Sequence, residues 1–294
     1  MATQLLGPTL NAQIIVTPTP TPLTVGTRIS NLLINVAIGS VTGLTRASIK
    51  HSSKWRGIKQ GVAGGFLMSV GKQIAASSFD GSGFVGRQVS AVGVSLTASS
   101  GEQKMIFAFP LGPLSIEECE GSFDWRLNVA AFVEVAVFAA SSKTRLDLPR
   151  SLSSGAPVFR DRRSTFGQVG DIYLTAITQL GTIRLSKGAF DPYTRQVNVI
   201  YHENVHILQD DYFEEAIALS AERVAIEQLP FGRHFLRHFD LGVLGPAVGG
   251  GFSALIPYRS RPWEREAYAL TTESSLLADP CGALVRLVAG GAGE

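Results

Sequence analysis

The 294-residue chain is 45% apolar and only 17% charged, with 26 basic residues against 24 acidic ones and a formal charge of +2. That much apolar content supports a sizeable core and excludes wholesale disorder, while two cysteines, Cys119 and Cys281, exclude a disulfide scaffold. The charge is uneven: residues 1–150 hold 13 basic and 8 acidic residues, residues 151–294 hold 13 and 16, and no Asp or Glu precedes Asp80.

Residues 1–25 read as an extended arm, because VTPTPTPLT favours polyproline-like backbone. The start lacks the basic segment and continuous apolar run of a secretory signal. Residues 26–100 read as glycine-rich helices. Asn31, Asn35, Gly39 and Gly43 recur at four-residue spacing in the first; Gly57, Gly61, Gly65 and Ser69 do so in the second. Gly86, Ser90 and Gly93 mark the third. Small residues on one helix face let backbones approach closely, a device common in membranes and also used in soluble proteins. The uncharged stretch between Arg28 and Arg46 is 17 residues long and includes Ser30, Asn31, Asn35, Ser40 and Thr42. It falls short of the roughly 20 mostly apolar residues of an independent membrane span. A peripheral membrane contact or self-association through residues 26–100 stays open. Seven basic residues precede Asp80, but only Trp55 and Phe66 interleave with them as large aromatics, so a nucleic-acid partner is not expected.

Residues 101–190 read as an antiparallel β region, its closure into a barrel undetermined. In GSFDWRLNVAAFVEVAVF the row Phe123, Trp125, Leu127, Val129, Ala131, Val133, Val135 and Val137 has period two, which predicts a long strand or a bent pair of strands. Shorter strands are predicted at residues 105–109, 145–148, 171–178 and 182–186.

Residues 191–294 read as helical. Asp191-Pro192 has the form of a helix start, and the helix through YHENVHILQ follows. A second helix is predicted near 213–228, then a glycine-rich loop over 242–251, and a last helix from about Ser260 to before Asp279. Gly249-Gly250-Gly251 has neither the following Lys-Ser/Thr nor the strand-to-helix context of a phosphate loop. The whole is an α+β chain.

His202-Glu203-Asn204-Val205-His206 is an HExxH motif inside a predicted helix. Residues i and i+4 share a helix face, so the two imidazoles can bind one Zn²⁺ while Glu203 reaches the water beside it. A metal that brings water's pKa towards about 7, with a carboxylate to take its proton, hydrolyses bonds at neutral pH. The flanking Ile200, Val205, Ile207 and Leu208 bury the helix, and buried imidazoles need partners. Asp210 lies two turns from His202, about 12 Å along the axis, too far to share its ion. A third ligand must come from elsewhere, and the candidate segment is Pro262-Trp263-Glu264-Arg265-Glu266-Ala267-Tyr268.

HENVHILQ followed by PWEREAY resembles gluzincin-type zinc metallopeptidases, in particular bacterial proteins with HExxHxxQ and a later P-[hydrophobic]-E-x-E-A-Y segment. The resemblance covers about residues 195–275. It implies a zincin-like helical core, Glu264 as third zinc ligand, Glu203 as general base, and a peptide or protein substrate. Glu266, turned some 200° from Glu264, is expected to orient Arg265 or a backbone group instead of the metal. Gln209 either supports His206 or caps backbone. Tyr268, one turn beyond Glu264, is either packed or a donor to an oxyanion. His234 and His238 form a second i, i+4 pair, but Arg233 and Arg237 adjoin them, so a basic amphipathic helix is expected there. A rival reading makes the chain an inactive or metal-stabilised envelope-associated assembly protein working through its glycine-rich helices.

Overall fold

The computed structural model describes residues 25–100, 105–169, 172–190, 199–214, 229–235, 238–243, 255–256 and 261–272. The Pro/Thr arm, the Asp191-Pro192 helix start, nearly all of the 213–228 helix and Gly249–Gly251 lie outside these residues. The described chain is a mixed α+β fold.

Three helices come first in the chain: α1 (Val25–Ile49), α2 (Lys54–Ala75) and α3 (Ser82–Ala98). Ser53 caps α2 by accepting the Arg56 amide through its hydroxyl. The glycine stripes do what their spacing predicts. Gly39 and Gly43 of α1 lie against Gly57, Gly61 and Gly65 of α2, so close that a side chain at any of them would enter the facing backbone. The second face of α2 was not legible in the four-residue count. There, a Cβ on Gly64 would stand 2.5 Å from the Gly93 carbonyl oxygen, and one on Gly71 would stand 2.6 Å from that of Gly86. Helix α2 is thus a small-residue slab gripped from both sides.

Strands β1 (Phe107–Leu111), β2 (Leu114–Cys119) and β3 (Ser122–Asn128) form an antiparallel meander. Glu120 and Gly121 both have positive φ (52° and 82°), the two-residue turn that matches strand twist. The predicted long strand stops at Asn128. Residues Val129–Ala140 are a helix, α4, whose first turn is capped by Asn128 accepting the Ala131 amide at 3.0 Å. The alternation misled because the opposite row, Ala130, Phe132, Glu134, Ala136 and Phe138, is also mostly apolar. With no polar face to define, period two carries no strand signal, and an alanine-rich run behind an Asn cap folds as helix.

Strand β4 (Thr144–Leu146) follows, then helix α5 (Leu148–Ser154), capped by Asp147 and closed by Gly155 in the left-handed region. The predicted strand at 145–148 therefore ends where Asp147 becomes a cap. Strands β5 (Val158–Asp161), β6 (Gly167–Val169), β7 (Ile172–Leu174), β8 (Ala176–Gln179) and β9 (Thr182–Leu185) complete the region, with a 3₁₀ turn at Lys187–Phe190. The order β4-β5-β9-β8 contains one parallel pair, β5 with β9, and β6 pairs only with β7. The expected purely antiparallel region is therefore a mixed one carrying two helices, split among separate sheets.

Helix α6 (Val199–Phe213) lies against β8 and β9 and against α2 and α3. Its Ile207 and Leu208 join Val158, Ile183 and Leu185 in the main apolar cluster, which also takes in Ala75 at the end of α2. The short helix α7 (Gly232–Phe235) precedes β10 (Phe239–Asp240), which pairs in parallel with β3. The basic amphipathic helix expected over FGRHFLRHF is thus cut off by a strand. Helix α8 (Pro262–Thr272) packs on α6, Ala267 meeting Val205 and Ala76.

Candidate metal centre

Helix α6 is buried along much of its circumference, because the sheet covers one side and the glycine-stepped helices the other. His202 and His206 stand one turn apart on it, their Nε2 atoms 3.1 Å from each other. Glu264, in the first turn of α8, brings Oε2 to 3.4 Å from His202 Nε2 and 3.3 Å from His206 Nε2. Three donors around a tetrahedral zinc, each about 2.0–2.2 Å from it, stand about 3.4 Å apart. The observed triangle matches that size. His202 and Glu264 are buried, and Glu264 Oε2 has no hydrogen-bond partner. The described residues contain this one group able to hold a metal ion.

The electrostatics favour a cation. Burial alone would raise the Glu264 carboxyl, but the two imidazoles beside it hold it well below the usual carboxylate range. Burial alone would lower His206; the adjacent Glu264 carboxylate and the charge of Glu203 overcome this and push it up to about 9. The carboxylates that favour a proton on this imidazole are also suited to a metal cation in its place.

The supporting contacts are specific. His206 Nδ1 lies 2.7 Å from the acceptor Gln209 Oε1, so Nδ1 carries a proton and the ring is turned with Nε2 towards His202 and Glu264. Gln209 Nε2 donates to Glu266 Oε2 at 2.7 Å and to the Trp263 carbonyl at 3.1 Å. Gln209 therefore supports His206. Glu266 does not serve Arg265 or a backbone group as expected: its partners are Lys72 Nζ, at 2.8 and 3.0 Å, and Asn35 Nδ2, at 3.0 Å. Lys72 also donates to Asn35 Oδ1 at 2.9 Å. An unbroken chain of bonds thus runs from His206 through Gln209, Glu266 and Lys72 to Asn35 on α1. A second tie crosses from α3 to α6, where Arg87 donates to both Asp211 oxygens at 2.7 and 2.9 Å.

Glu203 is buried beside the group, and its Oε2 accepts the Thr178 hydroxyl of β8 at 2.6 Å. The Tyr268 ring lies 4.4 Å from the His202 ring, centroid to centroid, and is 40% exposed. Asp210 is exposed and outside the triangle. His238 stacks on Trp125 at 4.8 Å and lies 3.3 Å from Asp124. The side chains of Arg233, His234 and Arg237 are outside the described residues.

Sequence reasoning missed Thr178, Lys72 and Asn35. Nothing near Thr178 flags it, since its role depends on where β8 docks. Lys72 did leave a signal: a lone cation in the last turns of a helix of glycines has a partner if that face is buried. Compared with protein-family models, curated proteins and solved structures, the chain matches none.

Proposed function

We propose that the chain is a zinc-dependent metallopeptidase of the gluzincin type. The observation that carries this reading is the convergence of His202, His206 and Glu264 at zinc-site separations, with Glu203 held next to them. Zinc, when bound by these three residues, supplies Lewis-acid stabilisation of developing negative charge and makes water ionise near neutral pH. Glu203 takes a proton from the attacking water, and the Thr178 hydroxyl keeps its carboxylate aimed. Water's oxygen joins the peptide carbonyl carbon, the C–N bond breaks, and Glu203 returns the proton to the leaving amine. Tyr268, against the His202 ring, donates its hydroxyl to the carbonyl oxygen as charge builds there. Gln209 holds His206 in the tautomer that leaves Nε2 as a ligand.

The test combines metal analysis with one substitution. Chain purified without chelator contains about one zinc, and Glu203→Gln keeps the zinc while losing hydrolysis of unfolded protein substrates. Absence of bound metal would sink the proposal.

A second reading has its own support, because α8 carries both Glu264 and the residue that clamps α2. In that reading the metal is a staple joining α6, α8 and the N-terminal helices in an assembly protein. It predicts metal-dependent stability and no hydrolysis for Glu203→Gln to abolish.

A further inference from the structure

Helix α1 is turned inside out relative to a helix of a water-soluble protein. Its outer face carries Ile29, Leu33, Ile34, Ile38, Val41 and Ile49, each more than two-fifths exposed. Its buried face carries Asn35, Gly39, Gly43 and Ala47. Helices α2 and α3 repeat the pattern in part: Trp55, Val62, Phe66, Phe84 and Val85 are exposed, while Ser69, Lys72, Arg87, Ser90, Ser95 and Thr97 are buried together with Met68 and Val94. Water selects the opposite arrangement.

Two of the polar residues that argued against a span in the sequence, Asn35 and Ser40, do not face outward as free polar groups. Asn35 is buried against Lys72 and Glu266, and the Ser40 hydroxyl is spent on the Val36 carbonyl at 2.6 Å. The helix is also longer than its uncharged stretch. Ile29–Ile49 is apolar enough over 21 residues to cross a bilayer, and at 1.5 Å per residue spans about 32 Å, against about 30 Å of hydrocarbon. Buried Lys72 and Arg87 lie off the exposed apolar surface and are ion-paired with Glu266 of α8 and Asp211 of α6, so neither presents a free charge to lipid.

The ends of the helix have the matching chemistry. Arg46, Lys50, Lys54, Arg56 and Lys59 cluster where α1 turns into α2, in a stretch without a single acidic residue. Trp55, 65% exposed, sits among them with Lys59 over its ring at 5.3 Å. Aromatic and basic residues at the end of an apolar helix are the pattern of a headgroup layer.

We propose that the α1–α2 hairpin is embedded in a phospholipid bilayer. The outer face of α1 meets the acyl chains, and the basic tip of the hairpin meets anionic headgroups. The glycine stripes then pack the hairpin within the lipid, and the metal centre is held at the membrane by the bonds from α2 and α3.

Flotation of the full chain with vesicles tests this. It should float with phosphatidylcholine vesicles, float more with vesicles that also contain phosphatidylglycerol, and stay in cell membranes through alkaline carbonate washing. Leu33→Glu with Ile38→Glu should lower vesicle binding by about a hundredfold or more. The zinc content and far-ultraviolet circular dichroism of that variant report that the remainder is folded. Lys50→Glu, Lys54→Glu and Arg56→Glu together should remove the preference for anionic vesicles, about fivefold per residue, and leave binding to neutral vesicles. A chain that is monodisperse without detergent and stays with the aqueous phase overturns the proposal. So does a chain that does not float but cross-links to a second copy through α1, since the second copy then covers the face.

Discussion

The two halves of the molecule are packed by opposite rules. Around β5, β9 and α6 the interior is conventional: Val158, Phe159, Ile183 and Ile207 are at most 1% exposed, and the buried Asp147 and Asp161 beside them are paired with arginines. In α1–α3 the interior is mostly glycine, serine and ion-paired charge, with Met68 and Val94 as its buried apolar exceptions, and many of the large apolar side chains face out. A sheet-and-helix core gains stability from the apolar volume it removes from water. A glycine-stepped layer gains little that way and depends on backbone contact and a few satisfied polar groups. The residues of the candidate metal centre sit on the seam, with His202 and His206 on α6, Glu264 on α8, Thr178 on β8 and the Gln209–Glu266–Lys72–Asn35 chain reaching into the layer. Under the proposed function the difference divides chemistry from placement: the conventional half would supply the reacting groups and the layer would fix their geometry.

The largest effect expected is at Glu203. If the conventional half carries the chemistry, Glu203→Gln lowers turnover by about 10²–10⁴-fold while bound zinc, measured by elemental analysis, is unchanged. Next comes the seam. Lys72→Met leaves the Glu266 carboxylate buried and without its cation, and denaturant unfolding should register a loss of about 3–5 kcal/mol. Adding Glu266→Gln should return part of it. A loss below about 1 kcal/mol would mean the layer is a passive coat, and the comparison would fail at its joint.

Volume gives the clearest contrast between the halves. Ile183→Ala, which removes bulk from the sheet core, should cost about 2–5 kcal/mol. Gly61→Ala, which adds a single methyl group against the Gly39 carbonyl, should cost about 1–3 kcal/mol although alanine is the better helix former. Thermal unfolding of both variants checks the pair. A stabilised Gly61→Ala would show that the α1–α2 approach is looser than described.

How much of this was legible depended on whether a feature is local. The helices α1–α3 and the close approach of α1 to α2 followed from four-residue glycine spacing, because a helix face is a local property. HExxH put two imidazoles on one side of α6 for the same reason, and Pro262 opened α8 in register to present Glu264. The turn from β3 into α4 was misread because hydrophobic alternation without a polar face does not separate strand from helix; the Asn128 cap was the better signal. Glu266 was seen to point away from Glu264, but its partners Lys72 and Asn35 lie about 190 and 230 residues away in sequence, and only the docking of α8 on the layer joins them. Thr178 belongs to the same class. Outward polarity in α1 was overcounted because Asn35 and Ser40 spend their polar atoms inside the bundle.

Acid separates the halves by a smaller margin. Residues 1–79 contain no carboxylate, and the acid-sensitive pairs described for the layer, Lys72–Glu266 and Arg87–Asp211, are shared across the seam. The conventional half carries two anchored aspartates. Hydrogen bonds from Arg163 hold the Asp161 carboxyl far below its ordinary value against the opposing effect of burial, and Arg184 adds to them at 2.9 Å. Burial works against Asp147 too, and bonds from Arg160 and Arg150 outweigh it. A carboxyl lowered by folding contributes stability that is complete above the unfolded value of about 3.9 and disappears as pH falls through the folded value. Asp161→Asn should therefore cost about 1–2 kcal/mol at neutral pH, and the gap from the parent chain should close steadily below about pH 4. Urea unfolding at several pH values reads this directly. A gap that stays constant into acid would mean that Asp161 contributes through shape alone, and that the acid limb of stability belongs to Asp147 and to Glu266 at the seam.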